Sequence, residues 1–325
     1  MVRVTKIKKN KAVDWKEALK QFLFWKKAEG VSEQTQKDYE QHVKLFFKRY
    51  SNSFETVEYL KNNLFEYLGQ EGIKPCTYNN RLVYLRTFLN WCVEQELIDT
   101  NPVKSLKKRK DEGRVVNIDQ EVLIKLLSLP NRDTFVGLRD YALILLTLDT
   151  GIRPKEALSL IIPDFNAHSQ EIYITSEKAK TRVSRALPIS MPTIKAIQQL
   201  IHVRPDSWSV HAPVFCTLEG KALNRHTWGD RMERYSKELG VHIRPYDLRH
   251  TFALEYIRNG ANVLFLQKTL GHSDLSMSKR YVALTNNDLK KEHGLASPIH
   301  KLLPEKKRLR SCEPSNTFNH HLLDL

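Results

Sequence analysis

Long apolar runs are absent from this chain of 325 residues. No stretch approaches the roughly 18 apolar residues that a membrane-spanning helix needs, so we expect no membrane segment. The N-terminal sequence MVRVTKIKKNKAVDW is basic but has no apolar core, which argues against a secretory signal peptide. Together these absences predict a protein of the cytoplasm.

Cysteine pairs, internal repeats and low-complexity tracts are also absent. The four cysteines form no CxxC pair and show no zinc-ligand spacing with histidines; they are Cys76, Cys92, Cys216 and Cys312. This pattern argues against the usual structural zinc sites. It is typical of buried or neutral thiols in a reducing compartment.

Positive charge is what the sequence has in excess. It contains 52 lysines and arginines against 37 aspartates and glutamates, which gives a formal net charge of +15. Such a balance predicts a polyanionic partner, and nucleic acid is the commonest one. Counterion release from phosphates would make that binding strongly dependent on salt. Charge alone leaves open a basic protein with no such partner.

Residues 12–105 are predicted to form a small all-helical domain. Apolar residues recur there at helical spacing, with charged residues between them, in four stretches: 13–28, 32–50, 54–70 and 77–96. Ser32 is a suitable N-cap for the second stretch, whereas Gly72 and Pro75 interrupt the pattern before the fourth. No stretch in this block shows the alternation of a strand.

Residues 106–116 are charged and lack apolar periodicity, so we interpret them as a linker; a solvated loop within one domain is the alternative. Residues 117–290 form the second predicted domain, which mixes helices with one strand signal. Ile172 and Ile174 alternate with their neighbours within residues 170–190, which predicts a short antiparallel hairpin with a basic tip. Residues 291–325 are a tail, either a docking helix or partly disordered.

Several side chains of the second domain have the chemistry to act on a phosphate ester. Arginine and histidine can hold a phosphate, and a tyrosine hydroxyl can attack one, keeping the bond energy in a phosphotyrosine. The candidates are Arg153, Lys180, Arg249, His272 and Tyr281. Each of them alone also has an ordinary structural explanation, as a surface cation, a helix cap or a packing aromatic.

The first two candidates lie in a helix start and a hairpin. Pro154 suits the first position of a helix that begins after Arg153, and Glu156 would share a face with Arg153. Lys180 lies at the tip or return of the predicted hairpin, where it can reach a substrate. A solvated lysine among other basic residues is the alternative.

The other candidates follow one another closely. The i, i+3, i+4 spacing in RPYDLRHTF puts Tyr246, Arg249 and His250 on one helix face. We expect His250 to be a core histidine that is satisfied by the backbone. His272 follows a Leu-Gly helix end, and the next helix would carry Tyr281.

Taken together, these stretches resemble the tyrosine recombinase, or phage-integrase-like, family. The motifs occur in the family's order: TGIRPKEAL, KTRVSRALPI, YDLRHTFA, LQKTLGHSD and SKRYVAL. The resemblance covers residues 117–290, and residues 12–105 look like the family's core-binding domain. It implies a mainly α fold with a small antiparallel β-sheet, in which an N-terminal all-α domain precedes an α+β catalytic domain.

The resemblance also implies a role for each matched residue. Arg153 and Arg249 would clamp the scissile phosphate through planar guanidinium groups, and His272 would support its developing charge. Tyr281 would be the nucleophile that leaves a 3′-phosphotyrosine and a 5′-hydroxyl, while Lys180 would protonate the leaving oxygen. Glu156 resembles the family's supporting carboxylate. No metal or cofactor is expected, since basic side chains stabilise the transition state.

One position departs from the family pattern. Tyr246 stands where the family usually has a histidine, three residues before the second arginine. A neutral phenol donates a hydrogen bond but accepts a proton poorly at pH 7, so the acceptor of the nucleophile's proton is left open. We keep Tyr246 among the catalytic candidates. His250 is ordinary for the family, and we predict a supporting role for it and not a replacement.

The implied function is site-specific DNA strand exchange, for integration, excision or transposition. A homotetramer would act on double-stranded DNA, with an accessory DNA-bending or directionality factor as a further expected partner. The tail would pack on a neighbouring protomer through its apolar residues, which are Leu295, Ile299, Leu302 and Leu303. Two alternatives stay open: a type IB topoisomerase and a DNA-binding relative with impaired catalysis. The sequence does not separate an integrase from a transposase or a resolvase.

Overall fold

The computed structural model describes residues 14–111 and 116–272 throughout, and residues 274, 281, 293 and 297–302 beyond them. The chain divides into two compact units, Met1–Arg114 and Val115–Leu325. In the described ranges, no helix is both long and apolar enough to cross a membrane.

The first unit is all-helical in its described part. Its helices are α1 (Trp15–Ala28), α2 (Glu33–Arg49), α3 (Val57–Leu68) and α4 (Pro75–Glu94), with a 3₁₀ turn at Ser51–Phe54. Aromatic side chains fill the core between them, and Phe22, Phe46, Phe47 and Phe88 are fully buried. Phe22 meets Phe88 edge to face, with ring centroids 5.4 Å apart. This geometry is favourable for aromatic pairs.

Helix starts in this unit follow from local chemistry. The Ser32 side chain accepts a hydrogen bond from the backbone N–H of Thr35 and so caps α2, as the sequence predicts. The expectation that Pro75 interrupts the pattern before a helix near Thr77 is wrong, because α4 begins at Pro75 itself. Proline is tolerated in this first helical position, since its missing N–H would have no partner within the helix.

The first residues of the predicted linker, residues 106–116, are hydrogen-bonded to the first unit. Asn79 on α4 donates to the carbonyl oxygen of Arg109 at 2.9 Å and accepts from its N–H at 2.8 Å. Arg86 donates to the carbonyl oxygen of Leu106. Residues 112–115 lie outside the described residues, and for them the linker stays a prediction.

The second unit combines helices with a small sheet. Its elements are α5 (Gln120–Ser128), α6 (Phe135–Thr150), α7 (Pro154–Leu158), β1 (Phe165–Asn166), β2 (Glu171–Ile174), β3 (Arg185–Pro188), α8 (Met191–His202), α9 (Arg225–Leu239), α10 (Pro245–Arg258) and α11 (Val263–Leu270). The strands pair antiparallel in the order β1-β2-β3, with Ile172 opposite Leu187 and Ile174 opposite Arg185. The predicted fold class, mainly α with a small antiparallel sheet, is confirmed.

Helix α6 is the central helix of this unit, and its apolar composition explains why. Ala142, Leu143 and Ile144 are fully buried, and α6 packs against both α8 and α10. Its one buried carboxylate, Asp140, is fully satisfied. Asp140 accepts from Arg139 Nη2 at 2.7 Å and from Arg231 Nε of α9 at 2.6 Å. A buried charge is tolerated only with such partners, and this one fixes α9 to α6.

Gly151 ends α6 in a conformation and a space that only glycine suits. Its φ is 61°, and a Cβ there would lie 2.3 Å from Phe252 Cδ1 and 2.7 Å from Leu270 Cδ2. We expect Gly151→Ala to lower the free energy of unfolding of the second unit by about 2–4 kcal/mol, from backbone strain and overpacking combined. Urea denaturation of the two proteins measures this difference.

Gly229 in α9 provides the matched control. A Cβ added there meets no atom within 4 Å, and its φ is ordinary. Gly229→Ala should raise the free energy of unfolding by about 0.5–1 kcal/mol, because alanine is the better helix former. Equal stability of the two variants would contradict the close packing around Gly151.

The described part of the tail is small. Ile299–Leu302 forms a short helical turn, in which Ile299 is 52% and Leu302 is 70% exposed. Leu295 and Leu303 lie outside the described residues. Packing of residues 291–325 on another protomer therefore stays a prediction.

Candidate active site

Arg153 is held at the start of α7 by the first turn of that helix. Its Nη1 donates to Glu156 Oε1 at 3.0 Å, and the Glu156 carboxylate accepts from the Arg153 backbone N–H at 3.3 Å. Its Nη2 donates to the carbonyl oxygen of Gly271 at 2.8 Å. The side chain is thus oriented from two sides, by its own helix and by the end of α11.

Arg249 lies on α10 and is 5% exposed. Its Nη1 donates to the carbonyl oxygen of Gly151, and its Nη2 donates to that of Leu270 at 3.0 Å. Burial, and then the positive charge of Arg153, lower the pKa of Arg249 to about 9. The guanidinium therefore stays charged at neutral pH but gains from any anion placed beside it.

A third arginine, Arg185, joins the site, although sequence reasoning did not select it. Its Nη2 donates to Glu156 Oε2 at 2.6 Å, and its Nε donates to the carbonyl oxygen of Thr269 at 3.0 Å. The signal was the strand alternation of β3, which puts Arg185 on the same buried face as Leu187. An inward arginine on a strand needs a buried acidic partner, and Glu156 is that partner.

Glu156 is the carboxylate between Arg153 and Arg185, and it is 1% exposed. Burial opposes its ionisation, but the hydrogen bonds and charges of Arg185 and Arg153 outweigh burial and lower its pKa. The carboxylate is therefore ionised at neutral pH. Glu156 neutralises part of the charge of Arg153 and Arg185, and with Arg249 the site keeps an excess of positive charge.

The last turn of α11 gathers these arginines. Three successive carbonyl oxygens, those of Thr269, Leu270 and Gly271, each accept a hydrogen bond from a different one of Arg185, Arg249 and Arg153. The last carbonyls of a helix have no partner within it and carry partial negative charge, so they suit guanidinium groups. The residue that follows this turn, His272, is thereby fixed beside the arginines.

His272 is 8% exposed, and its Nε2 lies 3.1 Å from Arg249 Nη2. A guanidinium can only donate, so Nε2 is the acceptor in this pair. Burial, followed by the charges of Arg249 and Arg153, lowers the pKa of His272 to about 4. The imidazole is therefore neutral at pH 7, and a phosphate bound beside it would raise its pKa.

Tyr281 completes the cluster. It is 5% exposed and belongs to a small apolar group on α10 and α11 whose members include Phe252, Leu266 and Leu270. Its hydroxyl oxygen lies 2.7 Å from Nδ1 of His250. His250 is only partly buried and its ring contacts Tyr281, so the expectation of a core histidine is wrong.

The two remaining candidates are not held in this cluster. Tyr246 is 49% exposed, and its hydroxyl makes no hydrogen bond within the part of the chain that the structure describes. Lys180 is exposed in the turn between β2 and β3, and among the described residues it makes no ion pair. Its neighbour Lys178 is instead paired with Asp164. Of the basic groups in this turn, Lys180 thus keeps an ammonium group that a substrate can reach.

A groove opens beside the cluster. It has a volume of 770 Å³ and is lined mainly by residues of β3 and α11, among them Arg185, Gly271 and His272. Arg185 and His272 are therefore open to this groove, whereas Arg153 and Arg249 are not among its lining residues.

The model of the phage integrase family matches residues 117–288, more than half of the chain. The chain belongs to the phage integrase family. It is a tyrosine recombinase, an enzyme that acts on DNA and transfers DNA strands. The match contains all the candidates that the sequence supplied, from Arg153 to Tyr281.

Relatives of this phage integrase family member extend over both units. It is 27% identical to tyrosine recombinase XerC of Staphylococcus carnosus over 293 residues, which are 85% of this chain and 96% of that protein. It is 29% identical to XerC of Histophilus somni over 232 residues, 70% of this chain and 77% of that protein.

Solved structures share the fold at low identity. The Tn1549 transposon integrase in complex with transposon right-end DNA has a TM-score of 0.67 at 19% identity, covering 86% of this chain and 99% of that chain. The XerH site-specific recombinase bound to difH substrate has a TM-score of 0.61 at 21% identity, covering 84% and 83%. The relatives and solved structures in these comparisons are named as recombinases and integrases. The alternative of a type IB topoisomerase is therefore not favoured.

Proposed function

We propose that this recombinase cuts DNA with Tyr281 as the nucleophile and rejoins it by the reverse step. The observation that carries the proposal is a buried tyrosine hydroxyl in the same cluster as two buried arginines and a neutral histidine. A bond forms between the Tyr281 oxygen and phosphorus while the bond from phosphorus to the 5′-oxygen breaks. The phosphodiester energy stays in the 3′-phosphotyrosine, which allows rejoining without another energy source.

In this proposal the arginines bind the scissile phosphate. Arg153 and Arg249 bind its non-bridging oxygens, because each guanidinium has more N–H groups than its present hydrogen-bond partners use. His272 donates to the same phosphate and stabilises the charge that develops on it. Glu156 keeps Arg153 in place, whereas the carbonyl oxygens of Gly151 and Leu270 hold Arg249. Tyr246, at the exposed start of α10, is assigned a hydrogen bond to the DNA backbone.

The leaving 5′-oxygen must gain a proton, and we assign that proton to Lys180. Its exposed position in the turn between β2 and β3 supports this assignment, since Lys178 is already occupied by Asp164. The neutral amine left behind stays unprotonated while the phosphotyrosine exists. In the rejoining step it accepts the proton of the attacking 5′-hydroxyl and is an ammonium group again.

The assembly that we propose is a homotetramer on two double-stranded sites. Residues 12–105 serve as the core-binding domain, residues 117–290 as the catalytic domain and residues 291–325 as the segment exchanged between protomers. The DNA complexes of the Tn1549 integrase and XerH support DNA integration, excision or transposition as the reaction. The cytoplasm is the location that we propose for it. An accessory DNA-bending or directionality factor is a further proposed partner.

Strand exchange between two short duplexes tests the proposal. Duplexes are first enriched from a randomised pool by binding to the full-length protein. Two labelled copies of unequal length are then mixed with it, and we expect recombinants of two new lengths together with complexes of four protomers on two duplexes. A duplex with a scrambled centre is the control and should give neither.

Two outcomes would contradict this proposal. Relaxation of a supercoiled plasmid that lacks the enriched sequence, with no recombinants, would indicate a topoisomerase. Binding with neither a covalent adduct nor recombinants would indicate a DNA-binding protein that has lost catalysis.

A further inference from the structure

The proton of the Tyr281 hydroxyl needs an acceptor, and the structure offers one next to it. Nδ1 of His250 lies 2.7 Å from the Tyr281 oxygen, which is hydrogen-bonding distance for a phenol and an imidazole nitrogen. This contact makes His250 a candidate for the acceptor on geometric grounds.

Tyr246 is the other candidate for the proton acceptor, because of its position in the sequence. Both its placement and its chemistry argue against that role. It is half-exposed, with no hydrogen bond to Tyr281 in the described part of the chain. A phenol has an ordinary pKa of about 10, so at pH 7 it is already protonated and has no basic group to take another proton. Imidazole, with an ordinary pKa of about 6.5, is the type of side chain that best accepts a proton under these conditions.

Helix α10 explains how the chain places this acceptor. His250 directly follows Arg249, so one rigid turn of α10 carries both a phosphate-binding arginine and the histidine that meets Tyr281. Arg249 is itself fixed by the carbonyl oxygens of Gly151 and Leu270. The proposed acceptor and the phosphate-binding arginine are thus carried by one helix turn.

We propose that His250 is a catalytic residue, the group that takes the proton of Tyr281 during cleavage and returns it during rejoining. As the Tyr281 oxygen bonds to phosphorus, its proton passes to Nδ1 of His250, while the leaving 5′-oxygen takes a separate proton from Lys180. This requires the tautomer with the proton on Nε2 before reaction. The inference rests on the proposed function, because it needs Tyr281 as the nucleophile.

The test compares two variants of the full-length protein with the wild type on a nicked duplex from the enriched pool, which traps the covalent adduct. His250→Asn retains an amide near the position of Nδ1 but cannot take a proton, and we expect adduct formation to slow by about 10²-fold. DNA affinity should be unchanged. His168→Asn, at an exposed turn between β1 and β2, is the matched control and should cleave at the wild-type rate.

A second substrate separates the two proton transfers. Sulfur in place of the bridging 5′-oxygen leaves without a proton, since a thiol is far more acidic than an alcohol. This substrate should restore cleavage by Lys180→Ala but leave His250→Asn slow. A packing role alone would not produce this difference between the two variants.

Three results overturn the inference, and they point to different causes. If His250→Asn cleaves at nearly the wild-type rate, His250 is not the proton acceptor. Slow cleavage by Tyr246→Phe in the same assay would indicate Tyr246 as the acceptor instead. Rescue of His250→Asn by the sulfur substrate would place His250 on the leaving-group side. If the wild-type protein forms no adduct while binding the duplex, the proposed function itself fails and the inference with it.

Discussion

Tyr281→Phe is expected to reduce the covalent protein–DNA adduct to an undetectable level while leaving DNA binding intact. Phenylalanine keeps the ring in the apolar group with Phe252, Leu266 and Leu270, so the fold of the second unit should persist. The only atom lost is the hydroxyl oxygen, which lies 2.7 Å from His250. Without it no side chain in that position can attack phosphorus, and no other covalent intermediate replaces the phosphotyrosine.

Denaturing electrophoresis of the labelled nicked duplex after incubation measures this effect, because only a covalent adduct survives denaturation. Native electrophoresis of the same samples reports binding. Tyr173→Phe removes a hydroxyl from an exposed tyrosine of β2 and serves as the control, with an adduct at the wild-type level. Adduct formation by Tyr281→Phe would mean that another residue is the nucleophile.

The features that the sequence predicts correctly are those that depend on local patterns of residues. The alternation of Ile172 and Ile174 predicts β2, and Ser32 predicts the start of α2. Both depend only on neighbours within a few residues, for which periodicity and capping chemistry suffice. The predicted start of α4 is wrong because a proline is compatible both with a break in a helical pattern and with the first residue of a helix.

The sequence predicts less of the site, because the side chains of the site contact residues that are distant along the chain or contact backbone atoms. Arg185 stands among other basic residues, and the partner that stabilises its buried position, Glu156, is 29 positions earlier. The carbonyl oxygens of Thr269, Leu270 and Gly271 have no sequence signature at all, since every residue has one. Which residue of α10 reaches Tyr281 depends on tertiary packing, so helical spacing alone could not choose between Tyr246 and His250.

Arg249→Lys is expected to slow adduct formation by about 10²–10³-fold, the cost typical of losing an aligned donor at a developing negative charge. Lysine keeps the positive charge but has three N–H donors on one nitrogen, against five on the guanidinium. The contacts that Arg249 makes with Gly151, Leu270 and His272 would use all three and leave none for a phosphate. The planar fork that would bind two phosphate oxygens is lost at the same time.

Arg258→Lys is the matched control, since Arg258 lies on the same helix but is exposed and paired with Glu255. It should cleave at the wild-type rate. For Arg249→Lys, DNA affinity should fall far less than the cleavage rate, because duplex binding is the sum of many phosphate contacts whereas transition-state charge is met by few groups. Single-turnover rates at saturating protein separate the two quantities. A loss confined to affinity, with the saturated rate unchanged, would show that Arg249 holds DNA without stabilising the transition state.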